Sequence, residues 1–177
     1  VNSGKCIKTI KGASGCSSAV FDNDGTKILI RKCSEIVELR VETGEYTETY
    51  KGHENWVTSA VYSNGGYRVL SASLDGTIRK WNALSGSNYS TIYIRSGKVT
   101  SACFSPDQTK ILITSAYSRL IELDAETEKS LHVYEIPDKG LISAKYSPDG
   151  TAILTIHDSG YINVFYPETG IIITHSH

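Results

Sequence analysis

The chain has 177 residues, of which 40% are hydrophobic and 21% are charged, and its formal net charge is −1. This composition is typical of a globular protein, and the near balance of charges argues against a nonspecific nucleic-acid surface, which needs an excess of Lys and Arg. No apolar run reaches the roughly 20 residues needed to cross a bilayer, so we do not expect a membrane partner. Because of the charge balance, we do not expect a nucleic-acid partner either.

A recurring dipeptide reveals an internal repeat. Ser-Ala occurs at 18–19, 59–60, 101–102 and 143–144, in steps of 41, 42 and 42 residues. Each copy lies in a run of small, β-branched and aromatic residues that is followed by a turn sequence and a second β-type run. A period near 42 residues with four strand signals per unit predicts β-propeller blades rather than a helical solenoid.

The predicted elements follow this period along the chain. Residues 5–11 form a predicted lone outer strand, whose lysines we interpret as charges that protect a sheet edge rather than as a phosphate-binding stripe. Four predicted blades follow, at 16–51, 57–94, 99–136 and 142–175. No linker or low-complexity tract interrupts them, so the sequence predicts a single structural unit over residues 1–177.

The best-formed copy of the repeat covers residues 52–86. Gly52-His53 opens it, Leu74-Asp75-Gly76-Thr77 supplies a turn, and Trp81-Asn82 closes it. This copy resembles a repeat of the WD-repeat β-propeller family, and the other three copies are degenerate versions of it. The resemblance implies an all-β fold, a propeller of four-stranded antiparallel WD-type blades with about four blades in this chain.

The resemblance also implies a hydrogen-bonded tetrad in the second blade, made of His53, Ser71, Asp75 and Trp81. The indole N–H can only donate, whereas Ser and His can each accept and donate, so every buried polar group finds a partner. A Ser, a His and an Asp could also suggest a hydrolase. We favour the structural role, because this serine would be buried in a sheet without a nucleophile elbow or oxyanion donors.

Both ends of the chain carry a predicted outer strand. The sequence therefore predicts one strand more than the sixteen that four blades contain. An open set of four blades would also leave one face of blade 1 and one face of blade 4 bare, and such apolar faces mark interfaces. We therefore expect the segment to be part of a larger propeller. The remaining blades would come from the same parent chain or from another chain.

The sequence offers no metal site and no cofactor motif. The four cysteines, Cys6, Cys16, Cys33 and Cys103, lack the close spacing of a zinc site or a disulfide framework. We interpret them as reduced thiols of a cytoplasmic or nuclear protein. A pair at the end of the chain, His175 and His177, could bind a metal, but we interpret it as incidental.

The expected function is that of a non-enzymatic scaffold that presents a propeller face to a protein or peptide partner within a larger assembly. The resemblance places one binding face at the loops leading into the first strands and at the turns between second and third strands. This chain has the following residues there: Lys32, Trp56, Leu74, Lys98, Tyr117 and Asp158. An RNA- or ribonucleoprotein-associated propeller subunit is the alternative. An enzyme at the channel mouth is a further one, and it would need converging carboxylates or histidines that the sequence does not show.

Overall fold

Alternating apolar residues and turn sequences produce sixteen β-strands in the computed structural model, which describes residues 9, 15–95, 97–136 and 140–175. The described residues contain no helix, and therefore none that could cross a membrane. The predicted all-β fold of four-stranded antiparallel blades is confirmed. The predicted outer strand at 5–11 lies outside the described residues apart from Thr9.

The strands form four separate antiparallel sheets, each built from four consecutive strands in chain order. Blade 1 contains β1–β4, at Cys16–Phe21, Lys27–Lys32, Glu35–Arg40 and Tyr46–Tyr50. Blade 2 contains β5–β8, at Val57–Tyr62, Arg68–Ser73, Thr77–Asn82 and Asn88–Tyr93. Blade 3 contains β9–β12, at Val99–Phe104, Lys110–Ser115, Arg119–Asp124 and Ser130–Glu135. Blade 4 contains β13–β16, at Leu141–Tyr146, Ile153–His157, Ile162–Tyr166 and Ile171–His175.

The turn between the first and second strands has the same backbone in every blade. Gly25, Gly66 and Gly150 adopt φ values of 75°, 72° and 76°, a left-handed conformation that glycine takes without steric cost. Blade 3 has Gln108 there, at a φ of 64°. Its side chain accepts a hydrogen bond from the Asn64 backbone N–H at 3.0 Å, so this position also ties blade 3 to blade 2.

The core consists of apolar clusters between successive blades rather than one central cluster. In each of them a leucine from the second strand of one blade packs with an alanine from the first strand of the next. The pairs are Leu29 with Ala60, Leu70 with Ala102, and Leu112 with Ala144. This packing stacks the four blades side by side, with their first strands lining a shared central channel.

The two outer faces of the stack differ from each other. On blade 4, Leu154 and Ile156 are exposed, as expected for a bare face. On blade 1 the whole of β1 is exposed, but Ile30, Val37 and Leu39 on the two middle strands are buried. The expectation of two bare faces therefore has to be corrected for blade 1, because these middle-strand side chains form a buried apolar cluster.

A buried tetrad and an upper-face cavity

Blade 2 brings His53, Ser71, Asp75 and Trp81 into one hydrogen-bonded chain. The Trp81 Nε1–H donates to Ser71 Oγ at 2.8 Å, and Ser71 Oγ lies 2.8 Å from His53 Nε2. His53 Nδ1 lies 2.8 Å from Asp75 Oδ2. Because a carboxylate only accepts, the proton of a neutral His53 resides on Nδ1, and Nε2 accepts the Ser71 hydroxyl. Each polar side-chain group of these four residues thus has a hydrogen-bond partner.

The charge states in the tetrad follow from burial and hydrogen bonding. Burial lowers the pKa of His53 below its ordinary value and outweighs the opposing effect of Asp75, so His53 is neutral at pH 7. Burial alone would raise the pKa of Asp75. Hydrogen bonds from Thr77, His53 and the Glu54 backbone N–H outweigh it and lower that pKa. The tetrad is therefore a neutral imidazole held on an ionised carboxylate.

This arrangement leaves no free nucleophile. Ser71 is fully buried, and its oxygen already accepts the indole N–H while its hydroxyl donates to His53. Trp81 covers it, and its ring meets Tyr50 of blade 1 edge to face at a centroid distance of 5.8 Å. The three residue types of a hydrolase triad serve here to fix the strands of blade 2 and their contact with blade 1.

A cavity of about 480 Å³ opens at the end of the channel where the loops into the first strands and the second-to-third-strand turns lie, which we call the upper face. Three of the predicted partner-binding residues line it: Trp56, Leu74 and Asp158. Trp56 is 63% exposed, and Leu74 is half-buried beside it. The cavity walls are otherwise mainly apolar, with Arg31 as their one cationic residue among the described residues.

The other three predicted residues do not line this cavity. Lys32 is half-buried at the end of β2, and Lys98 is exposed just before β9. Tyr117 is 75% exposed, and its ring lies close to Gly97.

Arg31 was missed in the sequence analysis, although it joins two blades at the cavity. Its Nη1 donates to the backbone oxygens of Val57, at 3.3 Å, and Thr58. The next boundaries use hydroxyls instead, since Thr58 donates to Val99 O at 3.0 Å and Thr100 to Leu141 O at 3.1 Å. Aligning the copies on their Ser-Ala dipeptides puts Arg31 at the position of Ala72, Thr114 and Ile156, and this lone cation is the sequence signal that could have revealed it.

Two buried carboxylates join blades in pairs. Glu38 on β3 is almost fully buried and accepts hydrogen bonds from Lys27 at 2.8 Å, Thr47 at 2.6 Å and Tyr50 at 3.1 Å within blade 1. It also accepts one from Tyr62 of blade 2 at 2.7 Å. Burial alone would raise the pKa of Glu38, but the bonds from Lys27, Thr47 and Tyr62 hold it below its ordinary value.

A similar glutamate with two tyrosine donors recurs 84 residues later. Glu122 on β11, also almost fully buried, accepts hydrogen bonds from Tyr134 at 3.1 Å and from Tyr146 of blade 4 at 2.6 Å. The boundary between blades 2 and 3 differs, because Lys80 occupies the equivalent position and its ammonium contacts Ala125 O at 2.8 Å and Glu128 at 2.6 Å. In the sequence, each of these glutamates and tyrosines has an identical residue 84 positions away, and this spacing is the signal that could have predicted the clusters.

No group of three or more His, Cys, Asp or Glu suited to a metal ion occurs among the described residues. The described cysteines, Cys16, Cys33 and Cys103, are free thiols. Burial raises the pKa of the Cys103 thiol to about 11. The sequence analysis considered a metal-binding pair, His175 and His177, and interpreted it as incidental. The side chains of both residues lie outside what the structure describes.

Similarities in sequence to known proteins agree with a fold of WD-type blades. Residues 44–82 match the family model "WD domain, G-beta repeat". The chain is 26% identical over 159 residues to the Periodic tryptophan protein 2 homolog of Schizosaccharomyces pombe, which covers 78% of this chain and 19% of that protein. It is 24% identical over 164 residues to the U3 small nucleolar RNA-associated protein 4 homolog of Mus musculus, covering 90% of this chain and 24% of that protein.

A third relative is a WD repeat-containing protein of Synechocystis sp., 32% identical over 90 residues, which are 50% of this chain and 26% of that protein. The chain thus spans about a fifth to a quarter of the length of these curated relatives. Their likeness extends over the degenerate copies of the repeat as well as over the matched one. Residues 44–82 thus carry a WD repeat, and the predicted resemblance of the chain to the WD-repeat family is confirmed.

Proposed function

We propose that the chain is a non-enzymatic protein-interaction scaffold whose upper-face cavity receives a loop or peptide of a protein partner. The observation that carries this proposal is the convergence of Trp56, Leu74 and Asp158, from three different loops, on one cavity beside Arg31. Exposed tryptophan at the rim of a mainly apolar pocket has the composition of an interface hot spot. A rigid stack of blades holds these loops in place without needing the partner to order them.

The cavity chemistry indicates what the partner presents. Trp56, Leu74 and Ile142 offer apolar contact, whereas Arg31 and Asp158 supply opposite charges at its wall. An apolar or aromatic side chain fits between the apolar residues, and a neighbouring polar group of the peptide would meet one of the two charges. The cavity volume of about 480 Å³ suits an anchor of this size rather than a folded domain.

The proposal is tested by selecting displayed peptides on the isolated chain and measuring their affinities for variants. Trp56→Ala should weaken binding by at least about tenfold while leaving the melting temperature nearly unchanged, because the indole is mostly exposed. Tyr67→Ala is the matched control, since Tyr67 is 70% exposed in a turn at the opposite end of blade 2. Equal losses from both substitutions, or peptides unaffected by Trp56→Ala, would contradict the proposal.

A second candidate is an RNA- or ribonucleoprotein-associated subunit, acting in the nucleus or the cytoplasm. One relative is named for its association with a small nucleolar RNA. The net charge of −1 gives no support to direct phosphate binding. Within this candidate the chain would therefore contact protein components of the particle. An affinity for RNA that falls steeply with salt and persists in Trp56→Ala would favour direct RNA binding over the scaffold proposal.

A further inference from the structure

Arg31 carries a half-buried charge at the upper-face cavity without a carboxylate partner among the described residues. Burial lowers its pKa below the ordinary value, but the guanidinium stays charged at neutral pH. Lysines on the middle strands of three blades differ from it, since each meets a glutamate. The pairs are Lys27 with Glu38, Lys80 with Glu128, and Lys110 with Glu122.

Packing between blades does not require a cation at this position. At the boundary of blades 2 and 3 the equivalent residue is Ala72, which is fully buried. At the boundary of blades 3 and 4 it is Thr114, whose hydroxyl lies 2.7 Å from that of Thr100. A methyl group and a hydroxyl thus suffice at two of the three boundaries, so the charge of Arg31 calls for an explanation other than packing.

The guanidinium of Arg31 keeps donors available for a ligand. Both of its hydrogen bonds to blade 2, to the backbone oxygens of Val57 and Thr58, use Nη1. The N–H groups of Nε and Nη2 therefore remain for a ligand in the cavity. Because two carbonyls of the neighbouring blade hold the guanidinium, its orientation is fixed before a ligand binds. A planar pair of N–H groups matches a carboxylate, which accepts two parallel hydrogen bonds.

The other charge at the cavity wall, Asp158, has less to gain from a ligand. Its side chain is exposed beside Gly140, so water solvates the carboxylate. Ion pairs between exposed groups change an equilibrium constant by at most about fivefold. A half-buried cation without a counter-ion gains more from an opposite charge, because it has already lost part of its hydration. The charge preference of the cavity should therefore be set by Arg31.

We propose that the peptide bound at the upper face presents an Asp or Glu side chain to Arg31, beside the apolar anchor that contacts Trp56 and Leu74. This inference rests on the proposed function and specifies the class of partner, an acidic segment with a hydrophobic residue. One stretch of chain forms both contacts, since Trp56 directly precedes Val57, whose carbonyl holds Arg31. The acidic and the hydrophobic residue of the peptide should therefore lie close together in its sequence.

Peptides selected on the wild-type chain from a displayed random library are the probes for this inference. Each is synthesised with blocked ends, so that only side chains carry charge, and is paired with a copy in which Asn and Gln replace Asp and Glu. In calorimetric titrations the amide copy should bind the wild type about 10–100-fold more weakly. For Arg31→Gln the two copies should agree within about twofold. Arg40→Gln is the matched control, because Arg40 is exposed at the opposite end of blade 1 and the full difference should persist.

The comparison of acid and amide copies on the wild type does not depend on the folding of any variant. Equal affinities there, the same preference in Arg31→Gln, or selected peptides rich in Lys and Arg would overturn the inference and leave the upper-face scaffold intact. Arg31→Lys keeps the charge without the planar pair of donors, so it should retain part of the preference. A selection that returns no peptide, or peptides indifferent to Trp56→Ala, would instead overturn the proposed function and this inference with it.

Discussion

Removing the carboxylate of Glu38 should cost more stability than any surface change, because this side chain is the shared acceptor of two blades. Glu38→Leu leaves the hydroxyls of Tyr50 and Tyr62 without their acceptor in a buried boundary, at about 1–3 kcal/mol each. Lys27 is partly exposed and Thr47 lies at the surface, so both can turn to water. We therefore expect a loss of about 3–5 kcal/mol, the range for breaking a buried charge cluster.

Two further substitutions at the same boundary should restore most of the stability lost in Glu38→Leu. At the boundary of blades 2 and 3 the two tyrosine positions carry Ile92 and Phe104, which pack in an apolar cluster. Adding Tyr50→Phe and Tyr62→Phe to Glu38→Leu removes the unpaired hydroxyls together with the carboxylate. Such wholesale replacement of a buried polar cluster is often nearly neutral, so the triple variant should recover most of the loss.

Urea unfolding at neutral pH, followed by tryptophan fluorescence, measures these free energies. Glu45→Leu provides the control, since Glu45 is exposed beyond the end of β3, and its free energy of unfolding should stay within about 0.5 kcal/mol of the wild type. A loss below about 1 kcal/mol for Glu38→Leu, or a triple variant no more stable than the single one, would refute the argument that Glu38 joins the blades.

Three further outcomes are expected. His53→Ala should lower the free energy of unfolding by about 1–3 kcal/mol, because Asp75 loses a buried hydrogen-bond partner. His132→Ala, at an exposed position, should lower it less. Equal losses for the two variants in urea unfolding would contradict a stabilising role of the tetrad. Because burial lowers the pKa of His53 below 6.5, the unfolded chain binds this proton more readily. The stability present above pH 6.5 should thus decline as the pH falls, and less so in His53→Ala. Cys103, whose pKa is raised to about 11, should be alkylated more slowly than the exposed Cys16 and Cys33, as peptide mass spectrometry would show; comparable rates would contradict its burial.

The sequence was sufficient for the blades because their signals are local and repeated. Ser-Ala, the turn sequence and the second β run recur at nearly constant spacing, and each describes a hairpin whose strands are neighbours in the chain. The tetrad residues could be named for a related reason, since the resemblance fixes their order within one repeat. The distances between their atoms could be read only from the structure.

Contacts between blades were harder to foresee because their partners are separated by tens of residues. Arg31 reaches the carbonyls of the next blade, and Glu38 gathers hydroxyls from two blades, but neither residue is unusual within its own repeat. Only a comparison of copies two repeats apart, such as Glu38 with Glu122, exposes the pattern. Which upper-face side chains share a cavity likewise depends on how the blades are inclined, so Trp56 and Asp158 could be nominated but not placed together.

The central claim, that the upper face binds the partner, is tested most directly by hydrogen exchange of the chain with and without a selected peptide or protein partner. We expect slower exchange in the upper loops at 52–56, 74–76 and 116–118, with little change in the opposite turns at 64–66 and 106–108. Protection confined to those opposite turns, with the upper loops unchanged, would contradict it.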